Sequence, residues 1–195
     1  MAYKVLYRKY RPDSFENLYG QEAIKKLLSE SIVLNKVSHA YLFHGPRGTG
    51  KTSTAKIFAK AINCKNNIDG NPCNKCNSCI NFSESPDIIE IDAASNNGVD
   101  EIRNLRDSAK ILPTFSKYKI YIIDEVHMLS GSAWNAFLKT LEEPPSHVIF
   151  ILATTELQKI PLTILSRCQR FSFKKLTPDI IVSNILRISK LENIE

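Results

Sequence analysis

Two kinds of apolar spacing alternate along this chain. Short, nearly unbroken apolar runs stand at Ala40–Phe43, Ile88–Asp92, Lys119–Glu125, His147–Ala153 and near Arg170–Phe173. Runs of this length and density predict strands buried on both faces. Between them apolar residues recur at helical spacing. Ile24, Leu27, Leu28 and Ile32 mark a buried face over Gln21–Leu34. Ala55, Phe58, Ala59 and Ile62 mark a helix ending near Asn63, and Val99, Ile102, Leu105 and Ala109 mark another. Trp134, Phe137, Leu138 and Leu141 mark a fourth, with Trp134 read as core, and Glu142-Glu143-Pro144-Pro145 ends it because proline cannot continue a helix. A short helix over Pro161–Ser166 precedes the last strand. Thr177 as N-cap and Pro178 at the first helical position then open a final helix carrying Ile181, Ile185 and Ile188. Strands alternating with helices predict an α/β fold: a mostly parallel sheet covered on both faces. Ligands of such sheets bind at the carboxyl ends of the strands.

The first strand runs into Gly45-Pro46-Arg47-Gly48-Thr49-Gly50-Lys51-Thr52, which has the form G-x-x-x-x-G-K-T. Glycines allow the backbone angles and close approaches through which successive N–H groups converge on phosphate oxygens. Lys51 supplies a point charge for the β and γ phosphates, and the Thr52 hydroxyl is placed to ligate Mg²⁺. The helix that follows adds the positive end of its dipole. A chance match in a glycine-bearing turn is the bland alternative, and the strand before and helix after argue against it. The third strand ends in Asp124-Glu125. Asp124 is expected to hold Mg²⁺ directly or through water, and Glu125 to polarise the attacking water; an ordinary acidic turn is the alternative. Thr155 stands at the tip of the fourth strand. Lys51, Asp124, Glu125 and Thr155 all follow strand ends, so one site is expected to collect them. His127 is expected to be a packed or hydrogen-bonded residue without a chemical role.

Composition adds less. The chain has 195 residues, enough for one large domain or one domain plus the start of another. Its net charge of +6 only hints at an acidic partner. The start has no signal-peptide core, and no apolar run reaches the roughly 18 residues of a membrane span, so an intracellular, cytoplasmic protein with reduced thiols is expected. Residues 3–20 are aromatic and basic and are broken at Arg11-Pro12, a solvated arm by composition alone.

In that setting Cys64-x₈-Cys73-x₂-Cys76-x₂-Cys79 points to metal rather than to disulfides. Four thiolates close a tetrahedral shell suited to Zn²⁺, with no open position for catalysis, so the site reads as structural. Four thiolate charges against the two of Zn²⁺ would bring the net charge from +6 to +4. An iron–sulfur cluster is the sharper alternative, and the upstream position of Cys64 disfavours it. The module lies beyond the phosphate-loop helix in sequence, so its loss is expected to leave nucleotide binding largely intact.

These motifs together resemble the AAA+ ATPases of clamp loaders, and within them the tau/gamma family of bacterial DNA polymerase III. The likeness is carried by Arg8-Lys9-Tyr10-Arg11-Pro12 with Gly20-Gln21, the phosphate loop, the four-cysteine insert and Asp124-Glu125-Val126-His127-Met128-Leu129. Lys139–Pro145, Leu152-Ala153-Thr154-Thr155 and Ser166-Arg167-Cys168 extend it over essentially the whole chain. The resemblance implies an AAA+ ATP-binding domain over 1–175, a zinc module inserted at 64–79, and the start of a truncated helical lid at 176–195. It implies that Arg11-Pro12, with Leu18-Tyr19, frame the adenine of ATP, displacing the solvated-arm reading. It further implies that Thr155 senses the γ phosphate and that Arg167 is a finger reaching a neighbouring subunit's ATP. The implied partners are the other subunits of a hetero-pentameric ring, the sliding clamp and primer-template DNA, with no membrane and no polymerase site in this chain. A 195-residue piece of such a subunit is expected to be monomeric, to bind nucleotide weakly and to hydrolyse it poorly. A branch-migration helicase and a non-hydrolysing scaffold subunit are the competing readings. The cysteine insert argues against the first; Lys51, Thr52, Asp124 and Glu125 argue against the second.

Overall fold

The computed structural model describes residues 5–194, apart from the side chain of Arg8; the first residues of the basic arm lie outside the described residues. In chain order the elements are α1 (Leu6–Lys9), α2 (Glu22–Val33), β1 (Ala40–His44), α3 (Lys51–Ile62), α4 (Asn77–Ile80), β2 (Ile88–Asp92) and α5 (Val99–Ala109). There follow β3 (Lys119–Asp124), α6 (Gly131–Glu142), β4 (Val148–Thr154), α7 (Leu162–Leu165), β5 (Gln169–Ser172) and α8 (Pro178–Glu192). The five strands form one sheet in the order β2-β3-β4-β1-β5, every pair parallel.

The side-chain alternation of the strands divides the core. Tyr41, Phe43, Ile120, Ile122, Ile149 and Ile151 point to the face covered by α2 and α3. Ala40, Leu42, Tyr121, Ile123, Phe150 and Leu152 point to the face covered by α5, α6 and α7. Successive residues serve opposite cores, which is why β1, β3 and β4 need to be apolar throughout. Aromatic rings lock each layer: Phe58 of α3 meets Tyr41 edge-on at 4.8 Å, and Phe137 of α6 meets Phe150 edge-on at 5.1 Å. Trp134 is buried as expected. The outer strands β2 and β5 are partly exposed.

Three expectations change. Leu27 is 54 % exposed, because α2 buries the narrower stripe Ile24, Leu28 and Ile32 and leaves Leu27 at its edge. The arm before Arg11-Pro12 is not featureless: α1 forms one turn there. It is held against the far end of α8, where Glu192 accepts from Lys9 Nζ at 2.6 Å and from the Tyr10 hydroxyl. The Arg187 guanidinium also lies over the Tyr10 and Tyr19 rings, at 5.9 and 5.5 Å. Third, α8 does open with Pro178 at its start, but Thr177 makes no side-chain cap. Ile181, Val182, Ile185 and Leu186 along it are exposed. No helix among the described residues is long and apolar enough to cross a membrane.

Candidate nucleotide and metal sites

The phosphate loop leaves the carboxyl end of β1 and enters α3. Gly45 has φ +147°, and a Cβ there would stand 2.2 Å from the Phe173 carbonyl, so the chain leaving β5 can pass only over a glycine. Gly50 takes φ +94° as the residue before α3, a left-handed cap that a side chain would strain. The loop also rests on Gln21. Its amide donates to the Lys174 carbonyl at 2.6 Å, accepts from the Lys174 N–H at 3.2 Å, and reaches the Thr49 carbonyl at 3.4 Å. That bracing was not legible in the sequence, where Gln21 carried only the family resemblance.

Lys51 is 6 % exposed, and its ammonium donates to the carbonyls of Gly45 and Pro46 at 2.8 and 2.9 Å. Burial lowers its pKa from the ordinary lysine value, against the pull of Glu125 and Asp124. The Thr52 hydroxyl donates to Asp124 Oδ2 at 2.6 Å, although the two residues are 72 positions apart. Two hard oxygen donors are thereby brought together. Adjacent ligands of an octahedral Mg²⁺ stand about 3 Å apart, so a small opening of this pair fits that ion.

Glu125 follows with φ +46°, a left-handed conformation uncommon for a non-glycine residue. Its carboxylate accepts the Thr155 hydroxyl at 3.0 Å and lies 3.4 Å from His127 Nδ1. His127 is hydrogen-bonded, as expected, at Thr154 Oγ1 (3.1 Å) and beside Glu156 (3.2 Å). Arg47, Gly48, Gly50, Lys51, Thr52, Asp124 and Glu125 line one cavity of about 720 Å³, together with Arg11. Glu90 and Asp92 of β2 also line it, acids whose place in a short apolar strand gives no sign of a site in the sequence. A second cavity of about 1230 Å³ shares Arg11, Arg47, Gly48 and Ser53 with the first and continues over Pro12, Tyr10, Ile185 and Ile188. Thr155 thus joins the site through Glu125; Arg11 stands where the two cavities meet, and Pro12 lines the second.

Leu18 and Tyr19 do not join these cavities, and Arg167 stands apart from both, as a residue serving a neighbouring subunit would. Leu18 is buried behind Gly50, and with Tyr19 it lines a separate small pocket beside Asp179 and Ser183, so neither faces the two large cavities. Arg167 lines neither cavity; its guanidinium donates to Glu142 Oε1 at 2.8 Å and to the Thr163 carbonyl at 2.7 Å. Burial pushes the neighbouring Cys168 thiol up to about 12, away from the thiolate form.

The sulfur atoms of Cys64, Cys73, Cys76 and Cys79 lie within 4.8 Å of one another. The Cys64–Cys76 and Cys73–Cys79 separations are 4.0 Å, near the ~3.8 Å edge of a tetrahedron with Zn–S of about 2.3 Å. Backbone N–H groups serve the sulfurs: Cys73 N–H donates to Cys64 Sγ and Cys76 N–H to Cys73 Sγ, both at 3.3 Å. The Lys75 and Cys76 N–H groups pull the Cys73 thiol down to about 6, whereas burial pushes the Cys79 thiol up. A bound divalent cation would take the place of the buried proton. All four donors are soft and none is free for chemistry, which fits a structural metal.

A family model described as DNA polymerase III, delta subunit, matches residues 20–177. The tau subunit of DNA polymerase III from Bacillus subtilis is 59 % identical over all of this chain, and that of Escherichia coli is 47 % identical over all of it. This chain belongs to the DNA polymerase III delta and tau/gamma subunit family. It spans about a third of the length of the curated tau and tau/gamma relatives, 35 % and 30 % of the two named. Among solved structures, RuvB of Thermotoga maritima, titled a Holliday junction branch migration motor, aligns over 95 % of this chain and 56 % of its own. Its TM-score is 0.69 at 20 % identity. A DNA polymerase III gamma subunit-related protein of the same organism aligns over 84 % of this chain and 53 % of its own, with TM-score 0.54 and 20 % identity. These likenesses bear out the P-loop AAA+ fold: a parallel five-stranded sheet flanked by helices.

Proposed function

We propose that this chain is the ATP-binding and ATP-hydrolysing part of a clamp-loader subunit, whose nucleotide cycle drives loading of a sliding clamp onto primed DNA. One observation carries the reading: the Thr52 hydroxyl and the Asp124 carboxylate meet at 2.6 Å in a cavity that also holds Lys51 and Glu125. It stands in a chain 59 % identical to a DNA polymerase III tau subunit. In this reading Lys51 binds the β and γ phosphates, leaving the two loop carbonyls it now holds. Gly45–Thr52 supply backbone N–H groups to the phosphates. Thr52 and Asp124 would hold Mg²⁺, which would supply neutralising charge to the phosphates. Glu125 orients the attacking water, and Thr155, bonded to that carboxylate, senses the γ phosphate. Arg11 and Pro12 frame the base end. Arg167 serves a neighbouring subunit's nucleotide once it leaves Glu142.

Zinc at the four cysteines is structural. Residues 1–175 form the ATP-binding domain and 176–195 begin a helical lid, a division supported by the exposed apolar side of α8. The partners are the other subunits of a pentameric ring, the clamp and primer-template DNA, in the cytoplasm. The test is steady-state ATP hydrolysis by the full-length protein in its assembled ring, with and without clamp and primed DNA. Stimulation by both is expected; a rate that responds to neither would overturn the clamp-loading role.

A further inference from the structure

The cysteine module is not the independent appendage its place in the sequence implies. A tight hairpin lies within it, between Cys64 and Cys73: Ile68 and Asn71 exchange backbone hydrogen bonds at 3.1 and 2.8 Å around Asp69 and Gly70, both at positive φ. This Asp-Gly turn is of the type that right-twisted hairpins favour. Gly70 packs on the backbone of α2, where a Cβ would stand 2.4 Å from the Ser29 carbonyl. Two asparagines of the module then reach the N-terminal arm. Asn71 Oδ1 accepts the Phe15 N–H at 3.0 Å, and Asn74 Nδ2 donates to Asp13 Oδ2 at 3.2 Å. Asn74 lies inside the Cys73-x₂-Cys76 turn with φ +55°, and its other amide atom, Oδ1, is buried without a partner. Asp13 and Phe15 lie one and three residues beyond Pro12; Arg11 lines both large cavities and Pro12 the second.

We propose that the cysteine module is a metal-dependent clamp on this arm: metal at the four cysteines fixes Asn71 and Asn74, and these hold Asp13 and Phe15 so that Arg11-Pro12 face the base of the nucleotide. The proposal rests on the nucleotide-site reading above and deepens it. Burial of Phe15, 3 % exposed, sets how deep the arm sits. The two amides set its course along the surface. Without metal the Cys73–Cys76 turn has no covalent or coordinate closure, and a turn carrying a left-handed asparagine is then free to open. Asn71 and Asn74 are thus positioning residues. They touch no phosphate, so they act on the base end of the nucleotide and not on its triphosphate.

That split gives the test. Affinities for ATP and for inorganic tripolyphosphate are measured by calorimetry, with Mg²⁺, on the chain and on the double variant Asn71→Ala/Asn74→Gly. Glycine keeps the positive φ while removing the amide. With zinc content still one per chain, ATP affinity is expected to fall about three- to tenfold, the size of one net hydrogen bond, while tripolyphosphate affinity stays unchanged. Stripping the zinc from the unaltered chain should produce the same split; this arm decides if the double variant fails to fold. ATP binding unchanged in a zinc-loaded variant and in the stripped chain would overturn the clamp and leave the nucleotide site standing. An equal loss for ATP and tripolyphosphate would also overturn it, since the module would then support the whole domain. Failure of the unaltered chain to bind either ligand would overturn both readings.

Discussion

Glu125, like Gln21, takes a left-handed backbone for which its side chain has no special tolerance. Left-handed φ on a glutamate costs on the order of 1–3 kcal/mol and persists only where surrounding contacts over-determine it. Here those contacts are the Thr155 hydroxyl and the His127 ring. Glu125→Gln retains size and hydrogen-bonding reach but no carboxylate. ATP binding should persist while hydrolysis falls by about 10²–10⁴; hydrolysis at the parent rate in a single-turnover assay would remove Glu125 from the water-activating role. Lys51 makes a second prediction, in pH. Burial lowers its folded pKa below the ordinary lysine value of 10.5, so the unfolded chain binds more protons across that interval. The nucleotide-free chain should therefore gain stability from this group as pH rises from its folded pKa toward 10.5. ATP affinity should move the opposite way, because the phosphates need the ammonium. Thermal melts and calorimetric titrations over the same alkaline range check the two signs.

At the scale of elements, the connection between α5 and β3 hangs on one carboxylate. Asp87, just before β2 and 1 % exposed, accepts the N–H groups of Thr114, Phe115 and Ser116 at 2.7, 2.8 and 2.8 Å. Burial alone would raise its pKa, yet the three donors outweigh it and hold the group below the ordinary aspartate value of 3.8. A depressed carboxylate contributes stability that is complete above the unfolded pKa and is lost as pH falls through the folded one. Asp87→Asn should lower stability by about 2 kcal/mol at neutral pH. It should also flatten the acid limb of the stability curve below pH 3.8, as read by denaturant melts at several pH values. An unchanged acid limb would mean that other carboxylates govern it.

At the scale of the whole molecule, Arg167 stands apart from the nucleotide cavities. Within one chain it closes onto Glu142 of α6 and reaches neither nucleotide cavity. If it serves the next subunit, Arg167→Ala in the full-length assembled ring should remove about 10³–10⁵ of the DNA- and clamp-stimulated rate while each subunit still binds ATP. The same change in this 195-residue chain, confirmed monomeric by sedimentation, should leave its low basal rate nearly unaltered. A large loss in the monomer would mean that Arg167 acts on its own nucleotide, and the shared site would have to be abandoned.

The apolar runs at Ile120–Ile123 and Val148–Ala153 determined buried parallel strands without help from the fold, because a strand covered on both faces has no polar positions to spare. The phosphate loop and the four cysteines were equally legible, since each packs its chemistry into a stretch of at most sixteen residues. Strand order was not. That β4 stands between β1 and β3, and that Thr52 nevertheless meets Asp124, depends on how α3 crosses the sheet, which no local spacing encodes. Leu27, apolar at a helical interval, went to solvent because the stripe that α2 buries is set by its partner and not by its own period. The links from Asn71 and Asn74 to the arm, from Gln21 to Lys174, and from Asp87 to residues 114–116 join segments 27 to 153 positions apart through single amides and carboxylates. Such side chains look like any polar surface residue in a sequence; only tertiary packing decides which of them find a partner.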